Sequence, residues 1–199
     1  MGKLLKTILV IVGIVIVLAA IFVKPYNNMV QKDEECSKAW ANVENAYQRR
    51  LDLIPNLVKT VQGAADYEKG TLTEVIEARA KATSVQIDPN NLTEEAIAKF
   101  QAAQDQLSSA LSRLMVVVER YPELKANQNF LELQAQLEGT ENRIAVERGK
   151  FNDTVNDYNS YIRKFPNNLI AGIFNFDKKG YFKATEGADK APDVEFNFN

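Results

Sequence analysis

The sequence predicts an all-α protein, an N-terminal transmembrane helix followed by an antiparallel up-and-down bundle of three to four long helices. Three observations carry that expectation. Residues 7–23, TILVIVGIVIVLAAIFV, form an unbroken apolar run between Lys6 and Lys24. Apolar residues then recur every three or four positions along three long stretches, the spacing that gathers them on one face of a helix. With 9 Gly and 6 Pro in 199 residues and abundant Ala, Leu, Glu, Gln and Lys, few positions break helices, and little or no sheet is expected. The length suits one membrane segment and one domain. The expected division is an anchor at 1–24, a bundle at 25–182 and a mobile C-terminal tail at 183–199.

The apolar run is the first element. As a helix it rises about 25 Å, and Leu4, Leu5 and snorkelling lysines extend it towards the ~30 Å of a bilayer core. Val17 and Ala19 have the small-residue spacing of a signal-peptide cut, but the run continues through Ile21, Phe22 and Val23, where a polar cleavage region should begin. An uncleaved anchor is therefore favoured, with residues 7–23 in the lipid bilayer. Lysines flank the run on both sides, so the positive-inside rule nearly balances. The short, acid-free N-terminus leans towards the cytoplasm, which places the bundle outside the cytoplasmic membrane. Lys24, Tyr26, Met29 and Val30 follow as membrane-proximal residues, and an exposed apolar stripe there would favour self-association.

The first helical stripe comprises Trp40, Val43, Tyr47, Leu51, Ile54, Val58, Val61, Ala65, Leu72, Val75 and Ala80. It keeps its phase across Pro55. A helix that bends at Pro55, with the Leu51 carbonyl losing its amide partner, explains this best. A fresh helix with Pro55 in its first turn, after a break at 52–54, is the alternative. The turn residues of TSVQIDPNN (83–91) then end the pattern, and Asn91 with Glu94 is a candidate capping pair for a second helix from about Leu92.

That second stripe is Ile97, Phe100, Gln104, Leu107, Leu111, Leu114, Val118 and Tyr121, with Gln104 its one polar member. YPEL at 121–124 turns the chain, because Pro122 disfavours a helical Tyr121 and suits a helix start. The third stripe runs Leu124, Leu131, Leu137, Ile144, Phe151, Val155, Tyr158, Ile162 and Phe165, and Pro166 closes it. FPNNLIAGIFNFDKKGYF beyond it is apolar without a lasting period. It needs a surface: the end of the bundle, lipid or a partner.

Composition narrows the chemistry. Beyond Lys24 there are 21 basic and 26 acidic residues, a net charge of −5, unsuited to nucleic-acid phosphates. The chain has no His, hence neither the commonest general base nor the Glu-x-x-His motif of di-iron bundles. A lone Cys36 excludes an intramolecular disulfide. No EF-hand loop, phosphate-cradling glycine loop or nucleophile elbow occurs, although carboxylate-only Mg or Ca sites stay open. No catalytic, cofactor-binding or metal-binding residues are expected.

Two polar groups stand out. Glu141 and Arg148 share the face of Ile144 and Phe151, where an unpaired charge would cost several kcal/mol. They are expected in a structural polar network with Arg49, Arg50 and Asp52 near Pro55, and with Glu74, Glu77 or Arg79 across the interface. Arg49 lies about 38 Å beyond Lys24 along a helix, too far for lipid headgroups. Asn152, Asn156, Asn159 and Arg163 form a polar line on the third helix. Asparagine is a poor helix former, so the row implies side-chain amides holding backbone at a helix contact, or a docking surface for a partner.

Four segments carry a family resemblance: PYNNMV; KAWANVENAYQRRLDLIPNLV; YPELKANQNFLELQAQLEGTENRIAVERGKFNDTVNDYN; and FPNNLIAGIF. In order and spacing they resemble the bacterial LemA family across nearly the whole chain. The resemblance implies a membrane helix and a four-helix bundle without established catalysis, and by association a partnership with a membrane zinc peptidase in envelope quality control. The expected function is a membrane-anchored interaction or scaffold module. Self-assembly into a homo-oligomeric envelope structure is the second expectation, and an enzyme using inter-helix carboxylates and arginines the third.

Overall fold

The computed structural model describes residues 2–64 and 69–183, and for Lys3, Val15, residues 17–21 and Ala64 the backbone alone. These residues form α1 (Lys3–Ala64), α2 (Lys69–Ser84), α3 (Glu94–Val118), α4 (Pro122–Lys125), α5 (Gln128–Arg163) and α6 (Asn167–Phe174), with no strand among them. Among the described residues no helix is long and apolar enough to cross a membrane. The expected span at 7–23 includes Val15 and residues 17–21, whose side chains lie outside the described residues. The expected tail at 183–199 lies outside them too, apart from Lys183.

α1 is 62 residues long and passes through Pro25 and Pro55 without ending, a length of about 93 Å. Pro55 has no N–H for the Leu51 carbonyl, and Arg79 Nε fills that role at 2.9 Å. Trp40, Val43, Tyr47, Leu51, Ile54, Val58 and Val61 are all buried, which is why the stripe holds its phase through the proline.

The stripe does not continue in the same helix. The chain leaves α1 after Ala64 and returns as α2, which buries Leu72, Val75 and Ala82, while Ala80 is exposed and Ala65 lies outside the described residues. Three-and-four spacing reports which face is buried and is blind to a reversal of direction, so the expected single helix is in fact two.

α3 is capped by Thr93, whose hydroxyl accepts from Ala96 N at 3.2 Å, and Glu94 and Glu95 occupy its first turn, favourable for the helix dipole. The expected cap, Asn91, instead donates its backbone N–H to the Asp88 carbonyl in the preceding turn, at 2.8 Å. After the single turn of α4, Asn127 caps α5 through Phe130 N at 3.2 Å. This break resets the phase: Phe130 is buried where Leu131, 43% exposed, had been expected. Phe165 lies beyond the end of α5 and is exposed.

The four long helices run up, down, up, down. In the distal half, Leu51, Ile54, Leu57, Val75, Leu107, Leu114, Phe130 and Leu137 form one core, each fully buried side chain contributing roughly 1.5–3 kcal/mol. α2 is only 16 residues long against 36 for α5. In the half nearer the N-terminal run, Ile87, Leu92 and Phe182 from non-helical segments complete the core around Trp40, Phe100 and Phe151.

Candidate functional site

Three places gather polar or apolar groups of functional interest. The first is a buried arginine at mid-bundle. Arg50 projects from α1 between α3 and α5 and is only 2% exposed. One terminal nitrogen donates to Ser108 Oγ at 2.8 Å and Glu141 Oε2 at 2.9 Å. The other donates to Gln104 Oε1 at 2.6 Å and its carbonyl at 3.3 Å, and the guanidinium lies 5.1 Å from the Tyr47 ring centroid. Gln104 interrupts the α3 stripe because it is the acceptor this arginine requires.

Of the other members of the expected network, Glu141 joins Arg50 and the rest are elsewhere. Arg49 is exposed, and exposed Asp52 accepts from Gln48 at 2.7 Å. Glu141 does not point inward; its side chain is 55% exposed at the edge of the Arg50 junction. Arg148 is half-buried. The inward acid of α5 is Glu147, bonded to Arg143 at 2.9 Å and Lys150 at 3.0 Å. The buried face is Leu137, Thr140, Ile144, Glu147 and Phe151, and residues one position off it are turned about 100° away. Glu74, another expected partner, pairs with Arg113 at 3.0 Å on the surface.

The second place is a strap. Asn175, at φ 58°, a left-handed conformation that asparagine tolerates, turns the chain out of α6. Residues 176–183 then run back in non-helical conformation beside α5. Asn159 and Lys179 exchange two hydrogen bonds: Nδ2 donates to the carbonyl at 2.8 Å and Oδ1 accepts from the amide at 2.9 Å. Asn152 and Phe182 do the same at 3.0 and 2.9 Å, and Gln101 of α3 and Lys183 at 3.1 and 3.2 Å. The register has a simple origin. Seven residues of helix rise about 10.5 Å and three extended residues span about 10 Å, so asparagines seven apart meet backbones three apart.

Phe182 stacks on Trp40 with centroids 5.9 Å apart and meets Phe151 at 5.6 Å, while Arg148 lies 4.7 Å from its ring centroid and donates to Lys183 O at 3.0 Å. Gly180 N donates to Leu92 O at 2.8 Å. A Cβ at Gly180 would fall 2.5 Å from Glu94 Cα, so no side chain fits. Buried Lys179 pairs with Asp33 at 2.7 Å, and Tyr158 donates to Asp177 O at 3.0 Å. Burial pushes the Tyr158 hydroxyl well above the ordinary tyrosine range and the Cys36 thiol up to about 12. Of the polar line expected to dock a partner, Asn152 and Asn159 are thus occupied by the chain's own backbone. Asn156 and Arg163 remain exposed.

The third place is the base of the bundle. Met29 is fully buried, contrary to its expected exposure. Tyr26 packs edge-on against Phe174 at 4.8 Å and Phe176 at 5.7 Å. Lys24 is exposed and Val30 is 37% exposed. Asn28 donates to the Tyr161 hydroxyl at 3.1 Å, tying α1 to the end of α5.

Between the helices lie open grooves. One of about 500 Å³ separates α2 from α3 and is lined by Glu74, Glu77, Lys81, Asp105, Ser109 and Arg113 among others. Among the described residues no three His, Cys, Asp or Glu side chains converge to hold a metal.

The model of the LemA family matches residues 39–196. The chain is 27% identical over 192 residues to magnetosome protein MamQ 2 of Paramagnetospirillum magneticum, covering 88% of this chain and 71% of the relative. To magnetosome protein MamQ of Magnetospirillum gryphiswaldense it is 27% identical over 183 residues, covering 82% and 66%. To protein LemA of Metamycoplasma hominis it is 22% identical over 166 residues, covering 83% and 72%.

Proposed function

The chain belongs to the LemA family, and on that premise we propose that it is a single-pass protein of the bacterial cytoplasmic membrane whose bundle serves as an interaction and scaffold module outside the cytoplasm. The observation that carries this reading is α1: one helix joins the apolar N-terminal run to the far end of the bundle. Ile8, Leu9, Val10, Ile11, Val12, Ile14 and Ile16 are all about half exposed, and a bilayer would cover them as neighbouring helices cover the stripe beyond Met29. Both cores of the bundle are meanwhile built from the chain's own side chains, Phe182 of the strap among them. The outer surface is left for recognition.

The partner we propose is a protein of the same envelope, a membrane zinc peptidase being the candidate the family association supplies. The exposed end of α5, at Asn156 and Arg163, is the surface we assign to it. Photo-crosslinking residues placed at these two positions in intact membranes should yield an adduct with another membrane protein. Self-adducts alone would overturn the reading in favour of assembly.

A further inference from the structure

The base of the bundle carries a second apolar feature beside the N-terminal run. α6 is eight residues long, about 12 Å. Its inner side buries Ile170 and Ala171 in the same core as Met29. On its outer side Leu169 and Ile173, four apart and therefore on one face, are 57% and 63% exposed, and Phe174 and Phe165 are 49% and 81% exposed. Four large apolar side chains within ten residues are thus about half exposed or more, and of these Phe174 is covered on one side by Tyr26.

Position and charge identify what covers them. The Tyr26 contact with Phe174 fixes α6 against α1 at a point only three residues, about 5 Å of helix rise, beyond Val23, the last residue of the apolar run. The apolar face of α6 thus sits at the depth where that run ends. Residues 1–32 contain no Asp or Glu, nor do residues 158–176; Lys24, Lys164 and Lys178 are exposed, with exposed Asp177 beside Lys178. A short apolar face with a cationic excess around it, at the depth where the apolar run ends, matches the boundary between acyl chains and anionic headgroups.

We propose that α6 is an interfacial membrane element: its Leu169, Ile173 and Phe174 face, with Phe165, lies in the headgroup region of the leaflet that α1 leaves, and the surrounding cations hold anionic lipid. The bundle is thereby docked on the bilayer at two points instead of swivelling on one helix. This inference rests on the anchoring reading above and adds a second lipid contact to it.

The test uses the full chain reconstituted in vesicles of phosphatidylethanolamine and phosphatidylglycerol, with a single bimane label at Leu169→Cys, Ile173→Cys, Val10→Cys or Ala135→Cys. Buried Cys36 stays in place. Labels at 169 and 173 should show blue-shifted emission, quenching by shallow lipid-borne nitroxides and loss of quenching by aqueous iodide, while the label at 135 remains open to iodide. Iodide quenching at 169 and 173 equal to that at 135 overturns the inference and leaves the anchor intact if the label at 10 is quenched from the lipid. Shielding at 169 and 173 from both quenchers also overturns it, and marks the face as a protein contact. A label at 10 open to iodide defeats the anchoring reading itself.

Discussion

Arg50 and Glu141 share an ion pair, yet their environments differ enough that the two should not matter equally. Arg50 is 2% exposed and Glu141 55% exposed. Replacing the guanidinium (Arg50→Leu) removes the donors that Gln104 and Ser108 use in the bundle interior and is expected to cost about 2–4 kcal/mol. Glu141→Gln keeps an acceptor at a solvent-washed edge and is expected to cost under about 1 kcal/mol. Urea denaturation of both variants measures the difference, and equal losses would contradict the description of Arg50 as the buried hub. Gln104 was visible in advance as the one polar member of an apolar stripe. That its partner is Arg50 on another helix was not visible, because periodicity names the face a side chain occupies and not the group opposite. The same limit misplaced Glu141 and Arg148, one position off the buried face, and passed over Glu147, which is on it.

At the scale of helices, Pro55 and Arg79 form a unit. The proline withholds an amide from the Leu51 carbonyl, and Arg79 Nε replaces it. Arg79→Ala leaves that carbonyl unpaired at a cost of about 1–3 kcal/mol. In an Arg79→Ala background, Pro55→Ala restores the helical N–H and should recover much of the loss, whereas in the parent chain it should gain little. A double-mutant cycle by thermal or chemical unfolding reads the coupling directly, and additive effects would refute it. The unpaired carbonyl followed from the proline alone; its partner, 28 residues away, required the fold. The reversal between α1 and α2 was equally hidden, since both helices bury one stripe of the same spacing. The strap was half legible. The asparagine row pointed to amides holding backbone, and only the packing identifies that backbone as residues 179 and 182.

For the whole molecule, the all-α class and the antiparallel bundle were written in the stripes and the scarcity of helix breakers. The non-helical filling of the lower core was not, because residues 176–183 have no period to read; their placement depends on α2 stopping short and on Gly180 fitting against the α3 cap. The resulting body has its interior occupied by its own chain and is carried on one helix that reaches from the apolar run to the far end of the bundle. On the proposed reading the anchor and the bundle would move together, and a partner bound at α5 would be held at a set height above the bilayer. Spin labels at Val10→Cys and Asn45→Cys in the full chain in lipid nanodiscs test this most directly by pulsed dipolar spectroscopy. One continuous helix through Pro25 predicts a single narrow distance near 52 Å, from 35 residues at about 1.5 Å each. A broad distribution, or one centred well below that value, would mean that α1 hinges at Pro25 and that the anchor and bundle are not one rod.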